Sequence, residues 1–338
     1  MKRKNPLNYI SKMKLPTSII AGLAAAGIML CGSAVQAQPA IANVFPNGAY
    51  QLQSTNALTF NATSSVGITN ISVALNATKL TGGSILRNLT SASGLTVTGP
   101  STSESVSGSL TSNRLYSVTI QVTDANGATA STNLSFDTIS PAYVFESEDF
   151  DYNSGLYIDN PQTNAYRTFA AVGGVDAYNI NGGGSYRPVG NATNGGAGLS
   201  TEGCSDKTRA PYIGTGHTDY DVGFTDNGDW ANYTRHYPPG LYNIYMRAAN
   251  PNGVSTDAAS ISVVAGTASL NEAGTFTVPQ TGNWQVYTWV ALHDASGTNV
   301  QLTILNDGLP STLRASTDVN GSYNVNYYMF IQVFLHGS

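Results

Sequence analysis

The sequence predicts an all-β chain in two successive domains, and three observations carry that prediction. Beyond the first 37 residues, no stretch repeats its apolar side chains at helical spacing. Short runs of alternating apolar and polar residues recur instead, set off by Gly, Asn, Asp and Ser turns. Charged residues make up only 10% of a chain that holds 35 glycines and 19 tyrosines. Such a composition suits strands, turns and neutral polar partners, sugars among them.

The opening segment belongs to no fold. Lys2, Arg3, Lys4, Lys12 and Lys14 precede an apolar run from Ile19 to Leu30, and Val35-Gln36-Ala37 has the small residues of a cleavage site. Residues 1–37 therefore read as a signal peptide cleaved after Ala37, which implies a secreted or cell-surface protein. The apolar run is too short to span a bilayer, so no membrane insertion of the mature chain is expected. Cleavage removes five of the fifteen basic residues and none of the twenty acidic ones, leaving ten against twenty. Capture of nucleic acid or anionic lipid by charge is therefore not expected. Cys204 is then the last cysteine, so no disulfide can form within the chain. Stability must come from sheet packing, with a metal as a possible addition.

Residues 41–138 form the first predicted domain. "ALTFNATS", "ISVALNAT" and "LYSVTIQVTDANGATASTNLSF" read as strands, the last as a hairpin turning at Asp124-Ala125-Asn126-Gly127. The pattern resembles a bacterial, cysteine-free immunoglobulin-like sandwich. It contains no histidine and few carboxylates, so a spacer role is expected. "DTISPAYVF" then reads as a short linker, since Pro141 cannot donate to a ladder.

The second domain spans 143–335, with a loop-rich insertion at about 156–215 that is too glycine-dense for regular structure. Strands are predicted at 229–236, 241–249, 259–265, 284–292, 299–305 and 323–333. "DWANYTRHY" and "LYNIYMRAA" read as a hairpin turned by Pro238-Pro239-Gly240 and held by Asp229 with Arg235. Most of its rings face a core.

Four places carry candidate chemistry. Glu146 and Glu148 share a strand face if "YVFESEDF" is extended, and a calcium ion would relieve their mutual repulsion; a solvated edge is the competing reading. Asp226 and Asp229 flank Asn227-Gly228, where turn geometry explains them better than a glycosidase pair. Trp284 stands at the loop end of its strand, placed for stacking on a sugar ring, while Trp289 lies deeper. Asn324 and Asn326 share a face of the last strand, opposite Tyr323, Val325 and Tyr327, and paired amides suit vicinal hydroxyls. His217, His236, His293 and His336 lack ligand spacing, and no phosphate loop, nucleophile elbow or dinucleotide fingerprint occurs.

Taken in order, "FESEDFD", "DVGFTDNGDWANYTRHYPPGLYNIYMRAA", "FTVPQTGNWQVYTWVAL" and "YNVNYYMFIQV" resemble the strand framework of family 6 carbohydrate-binding modules, over about 145–333. The resemblance implies a β-sandwich jelly roll with a sugar cleft among the loops at one end. It also implies a structural calcium held by Glu146 and Glu148. By position, Trp284 matches the stacking tryptophan, Phe224 the opposing ring without its hydroxyl, and Asn324 the cleft asparagine, with Asn326 its neighbour. The insertion puts the cleft in question, and its Tyr186, Arg187 and Tyr212 offer an alternative rim. The expected function is a secreted, non-catalytic protein that binds a polysaccharide or oligosaccharide, with an immunoglobulin-like spacer before the module. A structural or adhesive cell-surface or matrix protein without a sugar site is the alternative, and a hydrolase or lyase the third.

Overall fold

A computed structural model describes residues 38–151, 177–180, 200–206, 208–265, 269–319 and 323–333. The predicted signal peptide, and Tyr186 and Arg187, lie outside the described residues. The described residues are all-β, without an α-helix. Eight strands come first: β1 (Ala40–Phe45), β2 (Ala57–Thr63), β3 (Ile68–Lys79), β4 (Ser84–Thr90), β5 (Leu95–Thr98), β6 (Ser103–Ser109), β7 (Arg114–Asp124) and β8 (Thr129–Asp137). They make two antiparallel sheets, ordered β1-β2-β6-β5 and β4-β3-β7-β8. Alternate residues of each, such as Leu58 and Phe60 or Val118 and Ile120, close one apolar core. The β7–β8 hairpin turns at Asp124, whose carboxylate accepts the Asn126 and Ala128 N–H groups at 3.0 Å each.

Twelve strands follow: β9 (Tyr143–Glu146), β10 (Ala177–Tyr178), β11 (Ser200–Gly203), β12 (Tyr220–Gly223), β13 (Trp230–Arg235), β14 (Gly240–Ala249), β15 (Ser255–Ala265), β16 (Ser269–Val278), β17 (Tyr287–Ala291), β18 (Gln301–Ile304), β19 (Ser311–Thr317) and β20 (Asn324–Gln332). One sheet runs β10-β13-β19-β15-β16. The other runs β11-β12-β20-β14-β17, with β9 also paired to β20 and β18 to β14. Between them lies a ring-rich core centred on Phe145, whose ring is 4.7 Å from that of Tyr233 and 5.1 Å from that of Tyr328. Such pairs add to area burial through their edge and offset geometries.

The predicted hairpin at Pro238-Pro239-Gly240 is corrected. β13 belongs to the five-stranded sheet and β14 to the seven-stranded one, so the prolines carry the chain across the sandwich. Both strands present Tyr233 and Tyr242 to the same inter-sheet core, so the alternation looks the same in either arrangement. The partner of Arg235 is Asp151 at 2.8 Å, not Asp229. Asp229 instead accepts the N–H groups of Ile180 and Asp226, as a turn residue does.

The predicted linker is packed rather than loose. Thr138 and Ile139 are buried, and Ile139 joins Tyr245, Tyr327, Met329 and Ile331 with Leu52, Leu80 and Leu115 in an apolar junction between the two sandwiches. Polar groups reinforce it. Asp206 accepts Arg247 at 2.7 and 3.1 Å and Gln51 at 2.6 Å, and the Gln51 N–H donates to the Thr208 carbonyl at 2.7 Å. Residues 38–338 accordingly form one compact unit.

Phe145→Ala is expected to lower stability by about 3–5 kcal/mol, the usual loss when a packed core ring is deleted. Urea unfolding followed by tyrosine fluorescence measures it. A change near zero would mean that the core closes without this ring.

Candidate functional site

Strand register brings three predicted residues to one end of the second sandwich. Val222 pairs with Val325 and Ala249 with both Asn324 and Tyr287, so the end of β12, the start of β20 and the start of β17 lie side by side. Phe224 follows β12 directly. Continued alternation would send its ring inward with Val222, but its backbone adopts a left-handed φ of 55°. That conformation is uncommon for a bulky residue, and Phe224 is 40% exposed.

Trp284 lies before its strand, not within it, because β17 begins only at Tyr287. Asn283 shapes the turn, accepting the Gln285 N–H on its side chain at 3.0 Å and the Val286 N–H on its carbonyl at 3.3 Å. Trp284 is 39% exposed. Trp289, by contrast, is half-buried in the domain junction, with the Arg247 guanidinium 4.2 Å from its ring centroid.

Asn324 links the chain beside both rings. Its amide donates to the Trp284 carbonyl at 3.3 Å, and its Oδ1 lies so close over Gly223 that a Cβ there would approach to 2.5 Å. Gly223 is thus required for this contact. The same amide donates to Glu202 at 2.6 Å. Gln285 turns inward beside it, donating to Asp221 at 3.1 Å and accepting the Ser205 N–H at 2.7 Å. Tyr287 completes the group by donating to Asp221.

Glu202 and Asp221, directly opposed in the β11–β12 ladder, were not foreseen from the sequence. Glu202 lies in the insertion, far along the chain from the recognisable motifs. No local pattern marks it, and only the pairing of β11 with β12 brings it to Asn324. The described part of the insertion therefore contributes a carboxyl beside Asn324. Burial raises the pKa of Glu202, opposed by the Asn324 and Gln285 amides. Burial raises Asp221 further, and the nearby Glu202 adds to it.

Asn326 has another environment. Between Val325, opposite Ala248, and Tyr327, opposite Arg247, it is the extra residue of a β-bulge, which breaks the two-residue alternation. Fully buried, it donates to Cys204 Sγ at 2.7 Å and to Asp219 at 3.0 Å and accepts Arg209 at 2.8 Å. Tyr212, offered as a rim residue, is also buried here, its ring beside the Arg209 guanidinium.

The candidate calcium residues do not lie on one strand, although both carboxylates lie near Tyr212. β9 ends at Glu146 and the chain turns through Ser147 and Glu148, so the two carboxylates do not alternate along one strand. Both oxygens of Glu146 accept Arg209, at 2.6 and 2.7 Å. Among the described residues no group of three or more Asp, Glu, His or Cys side chains is placed to hold a metal. The described surroundings of Glu146 thus suit the guanidinium and do not fit a calcium ion. Glu148 is buried in the turn that follows.

No protein-family model matches the chain, and no curated protein matches it. Solved structures do. The chain resembles family 6 carbohydrate-binding modules. A module of Cellvibrio mixtus lichenase 5A, solved with cellotriose, is 19% identical at a TM-score of 0.31, over 57% of this chain and 99% of that one. A β-1,3-glucan-binding module from Bacillus halodurans is 24% identical at a TM-score of 0.29, over 40% and 87%. A module from Clostridium cellulolyticum, solved with xylose, is 24% identical at 0.28, over 40% and 88%. Fold and site rest on the strand order and side chains described above.

Three buried carboxyls and the half-buried Glu202 give stability a defined pH dependence. Burial raises Asp137 to about 6 and Asp219 to about 7, against the pull of nearby cations and N–H groups, and raises Glu202 and Asp221 in the same direction. Each keeps its proton in the folded chain at pH values where the unfolded chain has lost it. Their contribution is thus full below the ordinary carboxylate range and is lost as pH rises through the folded values. The urea midpoint is expected to fall from pH 5 to pH 8. A midpoint that rises over this interval would contradict the assignment.

Proposed function

We propose that this chain is a secreted, non-catalytic carbohydrate-binding protein, in which an immunoglobulin-like spacer carries a jelly-roll module that binds a polysaccharide. The observation that carries the reading is the pair of exposed aromatic residues, Phe224 and Trp284, on chain segments that Asn324 brings together beside the polar group of Glu202, Asp221 and Gln285. Ring faces shed water against the C–H face of a pyranose, and the hydroxyls at its edge remain free to bond polar neighbours.

The polar floor suits hydroxyls of a neutral or weakly acidic sugar. The Asn324 and Gln285 amides donate to Glu202 and Asp221 and so hold them in place, and a half-buried carboxyl such as Glu202 accepts a hydroxyl in either protonation state. The left-handed φ of Phe224 supports the reading too, because strain at an exposed ring calls for a use other than packing. Asp226 and Asp229 remain turn residues in this reading, with no part in bond cleavage.

Affinity electrophoresis against a panel of polysaccharides tests the proposal. Wild type is expected to be retarded by at least one glycan, and Trp284→Ala to lose that retardation while melting as wild type does. Phe224→Gly separates binding from folding further. Glycine accepts the left-handed backbone, so this variant should equal or exceed the wild type in stability yet bind at least tenfold more weakly, the loss of roughly 1.4 kcal/mol or more. No retardation of wild type by any glycan would refute the proposal.

A further inference from the structure

One of the two residues to which the resemblance assigns a calcium ion, Glu146, is bound by a side chain. Arg209, 3% exposed, directs its guanidinium at both oxygens of Glu146, at Asn326 Oδ1 at 2.8 Å and at Asp219 at 3.3 Å. These acceptors are hard oxygens, the donor set that a calcium ion would also select. We propose that Arg209 is the resident cation of this site, standing in for a metal ion at Glu146 and fastening the 208–219 loop to β9 and β20.

Three features favour a guanidinium over a metal. Its fork matches the Glu146 carboxylate with two parallel N–H bonds, which a spherical ion cannot reproduce. The walls are aromatic: the Tyr327 ring centroid lies 4.0 Å from the guanidinium carbon and that of Tyr212 5.0 Å. Ring faces favour a planar, weakly hydrated cation, whereas a calcium ion wants further oxygens in those directions. The pair is also buried on both sides, so a second cation would meet Arg209 with little water to screen it.

Chain order gives the arrangement a purpose. Arg209 lies within the insertion, between β11 and β12, and the same insertion contributes Glu202. Register places Glu146 opposite Tyr327, while the bulge turns Asn326 toward the same guanidinium. Arg209 is therefore a positioning residue: it anchors the segment that brings β11 beside β12 and Glu202 to Asn324. This last consequence rests on the carbohydrate reading, whereas the cation assignment does not.

Thermal melting and terbium luminescence of the full chain test the assignment. Wild type is expected to melt at the same temperature in chelator and in calcium, with no tyrosine-sensitised terbium emission that depends on Glu146. Arg209→Ala should melt lower by about 10 °C, the scale set by loss of one partner of a buried pair in a chain of this size. Should that variant fail to fold, Arg209→Met combined with Glu146→Gln decides the matter. Melting near wild type supports the pairing, and failure of the double variant to fold overturns it. Chelator-sensitive melting of wild type, or terbium emission lost in Glu146→Gln, would equally overturn it in favour of a metal. A wild type that meets these expectations yet binds no glycan would leave the cation assignment standing and remove the carbohydrate reading alone.

Discussion

Two buried amides on one strand organise the polar half of the second sandwich. β20 runs through the middle of the seven-stranded sheet, paired to β12 and β9 on one side and to β14 on the other, and its first eight residues are buried. A side-chain amide placed there must find partners, since an unmet buried amide costs about as much as the fold can spare. Asn324 and Asn326 meet that constraint differently. One collects Glu202 and the Trp284 carbonyl at the open end of the sandwich, and the other collects Arg209, Asp219 and Cys204 deeper along the same sheet. The candidate cleft and the buried cation site are thus neighbouring answers to one requirement.

The bulge at Asn326 keeps the two apart. Without the extra residue, β20 would alternate regularly and Tyr327 would face away from Asn326. With it, the Tyr327 ring and the Asn326 amide both reach Arg209, and Tyr327 also meets Gln51 and Trp289 at the domain junction. A local irregularity in one strand therefore couples the insertion, the sheet and the first sandwich. The same network keeps Asp219 and Asp221 out of water, which is why burial dominates their raised pKa values.

Much of this was legible in the sequence, and the misses have physical causes. The all-β class followed from period-two alternation, and the resemblance singled out Phe224, Trp284 and Asn324, whose chain segments strand register brings to one end of the sandwich. Glu202 was hidden because β11 lies in a glycine-rich insertion and gains its meaning only by pairing with β12. Counting by twos placed Asn326 beside Asn324, and a bulge defeats that count. β16, at the edge of its sheet, and β19, between β13 and β15, were missed because "SLNEAGTFTV" and "STLRAST" carry few apolar residues in alternation. The false hairpin at Pro238-Pro239 arose because two strands facing one core look alike whether they pair in one sheet or face each other from two. Arg209 had no sequence signal as a partner of Glu146, 63 residues away along the chain.

The indole N–H signals of the three tryptophans, followed by NMR during titration with soluble glucan and xylan oligosaccharides, offer the most direct test of the candidate cleft. Trp230, Trp284 and Trp289 give one signal each, and Trp284 is the exposed member of the set. A sugar bound between Phe224 and Trp284 should shift the Trp284 signal in a saturable way and leave Trp289, in the domain junction, unmoved. If no oligosaccharide shifts Trp284, or if one shifts Trp289 alone, the cleft is not the binding site.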